Sequence, residues 1–313
     1  MKAVVFEAYG PADVLRIDDL QDPAPGPEDI VVRVRAAAVN PKDTFIRKGR
    51  FKDFTGDSFP QQTGFDFAGE VAAVNDRGTF QVGEPVIGML DGWKGKTCAQ
   101  FVAVKRHQLA AKPATLSWEQ AAALPLVSLT ALQALRDEGA IQPGWRVCIN
   151  GASGGVGTMA VQIAKCLGAS VTAVCGAESH ARVKRLGADA CIDYRQTDIT
   201  RSGRLFDIFF DVFGNQPFAA VQPILTPTGT WISTVLKPEV FAAVEQTRTA
   251  SGQKARLIVV RADADDLAHV ARWAEDGRIE PIIHAVYPMD QIAAAHRQQE
   301  TKHTHGKIVI TIA

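Results

Sequence analysis

Over residues 1 to about 110, apolar positions fall in short runs broken by turns: 2–6, 30–38, 65–74, 86–89 and 99–104. Runs of this length predict strands, so this half reads as mostly antiparallel β. The segment Asp22-Pro-Ala-Pro-Gly-Pro27 predicts a surface turn, because its prolines lack N–H groups and hold φ fixed. One early stretch, 40–49, has helical punctuation: Asn40 as cap, Pro41 in the first turn, Asp43 three residues after the cap and Gly49 as stop. A second helical stretch begins near Ser117.

From Gln142 onward strands and helices alternate. Strands fit 146–150, 170–175, 190–193, 206–211, 229–234 and 256–260, with helical segments between most of them. That alternation predicts a parallel sheet covered on both faces, and six strands with crossover helices match a doubly wound dinucleotide-binding fold. The tail predicts an amphipathic helix at 263–276, another at 290–300 and a last strand at 307–312.

Composition narrows the function classes. With 46% hydrophobic and 22% charged residues in 313, the chain is expected to be soluble and globular, with material for two domains. Thirty-four basic residues balance thirty-four acidic ones, so no net field draws it to nucleic acid or a membrane, and a small-molecule partner is expected. Glu7 follows the first apolar run too soon for a signal or transit peptide, and no apolar stretch is long enough to span a bilayer. The five cysteines, Cys98, Cys148, Cys166, Cys175 and Cys191, form no CxxC pair. They read as reduced core thiols, with a cytoplasmic location expected.

The most informative segment runs from Val147 to Lys165, where a buried strand enters Gly151-Ala-Ser-Gly-Gly-Val-Gly157 and Val156, Met159, Ala160, Ile163 and Leu167 then recur at helical spacing. Small residues there allow a tight turn, close approach of backbone to a pyrophosphate and close packing of helix on strand. Gly154 and Gly157 fill two positions of the GxGxxG fingerprint, and Ala152 replaces the first glycine. Candidate cofactor contacts are therefore Gly151, Ala152, Ser153, Gly154, Gly155, Val156 and Gly157. The following strand ends Val174-Cys175-Gly176 with no carboxylate at its tip, although Glu178 is near. Ser179, His180 and Arg182 offer hydroxyl and cationic groups suited to a 2′-phosphate, so NADPH is expected over NADH. Lys184 and Arg185 read as a solvated helix face.

These features resemble the medium-chain dehydrogenase/reductase superfamily, in particular its zinc-independent, zeta-crystallin-like quinone oxidoreductase branch. The resemblance is carried by Ala38-Val-Asn-Pro-Lys-Asp43, Gly64-Phe-Asp-Phe-Ala-Gly69, Ala121-Ala-Ala-Leu-Pro125, Thr130-Ala131, the glycine loop, Leu186-Gly-Ala-Asp189, Asp193-Tyr194, Phe206-Asp-Ile-Phe-Phe-Asp-Val-Phe-Gly214 and Gly306-Lys307. It implies an α/β protein with a GroES-like β-barrel catalytic domain at 1–125, completed by 263–313, and a doubly wound Rossmann parallel-sheet domain at 126–262. It also implies cofactor contacts from Thr130, Tyr194, Phe213, Val235 and Lys307, Tyr194 lying beside the adenosine 2′-phosphate.

Zinc-dependent relatives need three protein ligands. Asn40 stands at the first ligand position, Phe65 at the histidine, and residues 126–128 offer neither thiolate nor carboxylate. The structural zinc lobe is missing too, and His303 and His305 read as a solvated loop, so no metal is expected. The implied reaction is hydride transfer from NADPH to an acceptor polarised by conjugation, a quinone or an α,β-unsaturated carbonyl compound. Asn40 is the candidate orienting group, with Asp43 and Arg47 in support, and Asn40 is an equally good helix cap. Related enzymes often present a tyrosine to the substrate, but the aromatics after Asn40 are Phe45 and Phe51, and none of Tyr9, Tyr194 and Tyr287 matches the position. Protonation is then expected from solvent, which suits a quinone. A homodimer through the sheet edge at 257–260 is expected. The alternative reading is an NADPH-binding, crystallin-like structural or regulatory protein with little turnover.

Overall fold

In the computed structural model, which describes every residue except Asp76, Arg77 and Thr79, the N-terminal strand β1 (Lys2–Phe6) lies between β2 (Arg16–Asp19) and a two-residue strand further on. β2 was not expected from the apolar pattern. Its sequence Arg-Ile-Asp-Asp has one apolar residue, and it survives as a charged edge strand by pairing with β1. Next come β3 (Asp29–Val39), α1 (Pro41–Arg47), α2 (Lys52–Thr55), β4 (Gln61–Gln62), β5 (Asp66–Val74), β6 (Pro85–Met89), β7 (Phe101–Lys105), β8 (Leu109–Ala111), α3 (Trp118–Ala122) and α4 (Pro125–Gln133). The long β3 pairs antiparallel with β5 through two register shifts, at Val31/Val32 and Val34/Ala36. Such irregularities bend a sheet towards closure. Gly69 is needed where the strands converge, because a Cβ there would lie 2.1 Å from the Arg33 carbonyl oxygen.

Parallel strands follow: β9 (Arg146–Asn150), α5 (Gly155–Cys166), β10 (Ser170–Val174), α6 (His180–Arg185), β11 (Ala190–Ile192), β12 (Phe206–Asp211), α7 (Phe218–Val221), β13 (Leu225–Ser233), α8 (Pro238–Gln246) and β14 (Lys254–Leu257). Their spatial order is β11-β10-β9-β12-β13-β14, the doubly wound arrangement whose direction of travel reverses beside β9. Cys148, Val174, Phe209 and Trp231 fill one face of this sheet. β14 departs from the expected strand at 256–260. It starts earlier and stops at Leu257, because its partner β13 ends at Ser233, the residue paired with Leu257. The Ala255 N–H on this strand donates to Thr247 Oγ1 at 2.8 Å.

The chain closes with α9 (Ala264–Glu275), β15 (Ile283–Pro288), α10 (Ile292–Glu300) and β16 (Lys307–Thr311). Asp263 caps α9 by accepting from the Asp265 and Asp266 N–H groups at 3.1 and 3.0 Å. β15 was not expected. Pro281 precedes it, Pro288 is its last residue and its register slips between Ile283 and Ala285, which hides the alternation. Two units result, Met1–Leu126 with Arg261–Ala313, and Val127–Val260. In the first, β16 joins the sheet β15-β16-β3-β5-β6-β8 antiparallel to β3, with Ile308 opposite Val39. Phe6, Ile30, Val32, Phe65, Phe67 and Ile308 form part of its core.

Candidate active site

The β16–β3 register carries Lys307 to the end of β3, where Asn40 begins α1. Asn40 uses its backbone for the helix and its side chain for something else. Its N–H donates to Asp43 Oδ2 at 2.8 Å, so Asp43 closes the first turn. Its amide makes no capping bond: Oδ1 accepts from Lys307 Nζ, and Nδ2 donates to Asp66 Oδ2 at 2.8 Å. Lys307 Nζ also donates to Asp66 Oδ2 at 3.1 Å and to the Val39 carbonyl at 3.4 Å. Asp66 Oδ1 accepts the Leu126 N–H at 2.6 Å. All four polar residues, Asn40, Asp43, Asp66 and Lys307, are buried.

Burying such charges is costly unless every lone pair and proton finds a partner, which is what this network arranges. Asp43 Oδ1 accepts from Thr63 Oγ1 and the Gly64 N–H at 2.9 and 2.7 Å. Burial raises its carboxyl above the ordinary range, and those donors, with the Asn40 N–H, oppose the rise. Lys307, expected to touch the cofactor, has its N–H groups directed at Asn40, Asp66 and Val39. Asp66 was missed as a site residue. Its signal was an acid between Phe65 and Phe67 in an otherwise apolar strand.

Arg47 was expected to support Asn40, but its bonds lead elsewhere. Fully buried, it donates through Nη1 to the Gly10 carbonyl at 2.9 Å and through Nη2 to Glu300, which also pairs with Lys48 at 2.9 Å. It therefore ties α1 to α10 rather than reaching the amide. His296, on α10, is buried as a neutral imidazole, its pKa held down to about 3 by burial and then by the Arg47 charge.

A cluster of rings lies on the same unit. Phe45 and Phe51 have centroids 6.4 Å apart, Phe51 and Trp93 4.5 Å, and Phe54 stacks on Trp93 at 4.9 Å. Lys42 Nζ lies 4.0 Å from the Phe65 centroid and 4.9 Å from that of Trp93. Lys42, Phe54 and Trp93 were not picked out from sequence, since they come from separate turns.

On the second unit, Gly151 takes φ +87° at the end of β9. The N–H groups of Gly151 and Ala152 both donate to the Val174 carbonyl at 3.1 Å, so they hold the loop to β10 and are not free to meet a ligand. Ala152 is wholly buried. Gly157 is a packing requirement, since a Cβ would lie 2.1 Å from the Gly151 carbonyl oxygen. Gly154 is different: the nearest atom to its Cβ would be 3.7 Å away. Nothing in the fold demands glycine there, and the space beyond is where a ligand could approach the backbone. Gly154 is the N-cap of α5, followed by Gly155 and Val156, whose first-turn N–H groups lack partners within the helix. Ser153 precedes them in the turn.

Asn150 Nδ2, at the end of β9, donates to Asp211 Oδ1 and Asn215 Oδ1, both at 2.7 Å, which fixes the neighbouring loop. There Phe213 packs on Gly151, while half exposed, and Val235 packs on Gly214. Thr130 lies buried on α4. At the tip of β10, a Cβ on Gly176 would meet the Glu178 carboxylate at 2.3 Å, and Glu178 is paired with Arg195, which also bonds Asp193 at 3.2 Å. Arg195 was not named from sequence. It lies 5.5 Å from the exposed Tyr194 ring. Ser179 is buried, while His180 Nε2 and Arg182 Nη1 are shielded from solvent with no hydrogen-bond partner. Two orphaned nitrogens and a guanidinium beside a strand tip fit a nucleotide phosphate.

Among the described residues, no three His, Cys, Asp or Glu side chains converge to hold a metal ion.

The sequence model of the alcohol dehydrogenase GroES-like domain matches residues 26–121, and that of the zinc-binding dehydrogenase family matches residues 186–310. The mitochondrial NAD(P)H oxidoreductase RTN4IP1 of Mus musculus is 32% identical, over 100% of this chain and 89% of its own. The chloroplast envelope quinone oxidoreductase homolog of Arabidopsis thaliana is 29% identical, over 99% of this chain and 98% of its own. Among solved structures, the quinone oxidoreductase from Coxiella burnetii superposes with a TM-score of 0.92 at 28% identity, covering 100% of this chain and 99% of its own.

Proposed function

The chain belongs to the medium-chain dehydrogenase/reductase superfamily, in its quinone-oxidoreductase-like branch, and from that premise we propose that it is an NADPH-dependent reductase of quinones or α,β-unsaturated carbonyl compounds that works without a metal. The observation that carries this reading is Asn40. It stands where zinc-dependent relatives place their first ligand, and its amide is already committed to Lys307 and Asp66. The second Nδ2 proton meets only the Ala38 carbonyl, at 3.5 Å, so it is the donor left to orient a carbonyl group, whereas an amide ligates zinc poorly.

The residues fit the cofactor. The opening over Gly154 and the first turn of α5 would take the pyrophosphate. His180, Arg182 and Arg195, with Tyr194, would take the 2′-phosphate, Arg195 exchanging Glu178 for the stronger anion. When bound, NADPH supplies the hydride. Asn40 then orients the acceptor oxygen, Asp43 and Lys307 fix Asn40, and solvent delivers the proton.

NADPH oxidation measured against quinones, enones and simple alcohols, before and after prolonged chelation, tests this. Reduction of a conjugated acceptor that survives chelation is expected, with no alcohol oxidation. Stoichiometric zinc, or activity lost to the chelator, would overturn it. Phe45 and Phe51, which offer no phenol proton, favour a second reading as an NADPH-binding protein with little turnover. Tight NADPH binding with no acceptor reduced would establish that one.

A further inference from the structure

We propose that Lys42 presents a fixed positive charge to the oxygen of a planar quinone, whose ring lies against Trp93 and Phe54. The inference rests on the reductase reading above and narrows its acceptor to flat aromatic quinones. Three observations carry it, all on one unit.

The first is the contrast between two lysines close to Asn40. Lys307 is saturated by Asn40, Asp66 and Val39 and has no donor left for a substrate. Among the described residues, Lys42 has one hydrogen-bond acceptor, the neutral Gly92 carbonyl, and forms no ion pair. Its other neighbours are the faces of Phe65 and Trp93. Ring faces attract a cation but do not neutralise it.

The second is that the carboxylates around Lys42 are occupied. Asp43, on its own helix, faces Asn40, Thr63 and Gly64. Asp66, on β5, faces Lys307, Asn40 and Leu126. Asp91, after β6, is bonded by His107 at 2.9 Å and by the Ala262 N–H at 2.6 Å. These acids act on Lys42 only through space, and burial outweighs them, lowering its pKa. A partly desolvated ammonium without a counter-ion favours an oxygen that becomes negative.

The third is the shape of the neighbouring surface. Phe54 is 61% exposed yet stacks on Trp93 with an interplanar angle of 22°. Phe51 meets the same indole. Offset stacking suits a flat, electron-poor ring better than a linear enal.

The chemistry balances. The C4–H bond of NADPH breaks and its hydride forms a C–H bond at the ring carbon β to the carbonyl beside Lys42, reducing the quinone and oxidising the cofactor. The ring C=C pair shifts and the carbonyl π pair moves to oxygen, giving an enolate beside the ammonium; water protonates it, and loss of a proton from the new CH2 to water with protonation of the second oxygen gives the hydroquinone. Lys42 stabilises the charge as it forms.

Lys42→Met, Lys42→Arg and Trp93→Leu test the proposal. In the Met variant quinone reduction should fall roughly 100-fold while NADPH affinity by fluorescence titration stays unchanged, and the Arg variant should recover most of the rate. Trp93→Leu should raise KM for a naphthoquinone about 5-fold without changing that for a linear enal. A readout independent of turnover is the ionisation of bound 4-nitrophenol, followed by absorbance. It should shift towards the phenolate in the wild type and not in Lys42→Met. Wild-type kinetics and an unchanged nitrophenol titration in Lys42→Met would overturn the assignment. If the wild type reduces no acceptor, the reductase reading fails by itself, and the nitrophenol arm still decides whether Lys42 binds an oxyanion.

Discussion

Lys307 Nζ lies 3.1 Å from Asp66 Oδ2, with 5% of one side chain and none of the other exposed. Such a pair adds little net stability, yet leaving either partner alone is severe. Lys307→Met should therefore destabilise the protein by about 3–5 kcal/mol. Adding Asp66→Asn should restore much of that loss without restoring turnover, since Asn40 has lost its anchors. Denaturant melts beside initial rates check this. A single mutant as stable as the wild type would refute the predicted cost of leaving Asp66 without its partner.

Asn40→Ala should lower reduction roughly 10-fold to 100-fold if the amide orients the acceptor. Asp43 closes the helix start through the Asn40 backbone, so far-UV circular dichroism should stay unchanged. Wild-type kinetics in this variant would remove Asn40 from the reaction.

Gly154→Val should abolish NADPH binding while the fold survives, because the protein leaves room for a side chain and the pyrophosphate does not. Gly157→Ala should instead destabilise, since its Cβ would strike the Gly151 carbonyl. Calorimetric titration and melting curves separate the two. Retained affinity in Gly154→Val would make the loop merely a turn.

NADPH should bind more tightly than NADH by roughly 5-fold to 150-fold, the worth of about 1–3 kcal/mol in charged contacts. Arg182→Ala and Arg195→Ala should each erode that preference by weakening NADPH and sparing NADH. Glu178 competes for Arg195, so Glu178→Gln should widen the preference. Equal affinities in the wild type would sink the assignment.

His296 should make the protein acid-sensitive. Its imidazole titrates near 3 when folded, against 6.5 when free. Between those values the unfolded chain binds more protons, so stability falls as pH drops from about 6.5 towards 3, by up to about 1.4 kcal/mol per pH unit. Between pH 7 and 5 the loss should be about 2 kcal/mol, and His296→Leu should remove it. Parallel urea melts with equal pH slopes would refute this.

The strands that patterning located well, β9 and β12 among them, are buried on both faces and leave uninterrupted apolar runs. β2 and β15 were illegible because an edge strand and a strand with slipped register carry no such run. The glycine loop was legible as a motif, but sequence does not distinguish Gly157, fixed by packing, from Gly154, left open. Asn40 was ambiguous between cap and site because both uses favour the same residue. Its side chain bonds the distant Lys307 and Asp66 rather than the helix start, which spacing in the sequence does not reveal. Trp93 and Lys42 escaped notice because their partners lie on other turns, and Arg195 because Glu178 lies 17 positions before it.

β16 completes the sheet around β3 only after the whole nucleotide unit has been threaded between them in sequence. On the ribosome, Val127–Val260 emerges as one continuous segment able to fold while its companion still lacks its last strand. The cation that bonds Asn40 arrives 267 positions after it. A chain made only as far as β15 thus leaves the β3 edge at Ala36–Val39 unpaired and an acid, Asp66, without its counter-charge, so the order of synthesis delays this buried ion pair until Lys307 has been added.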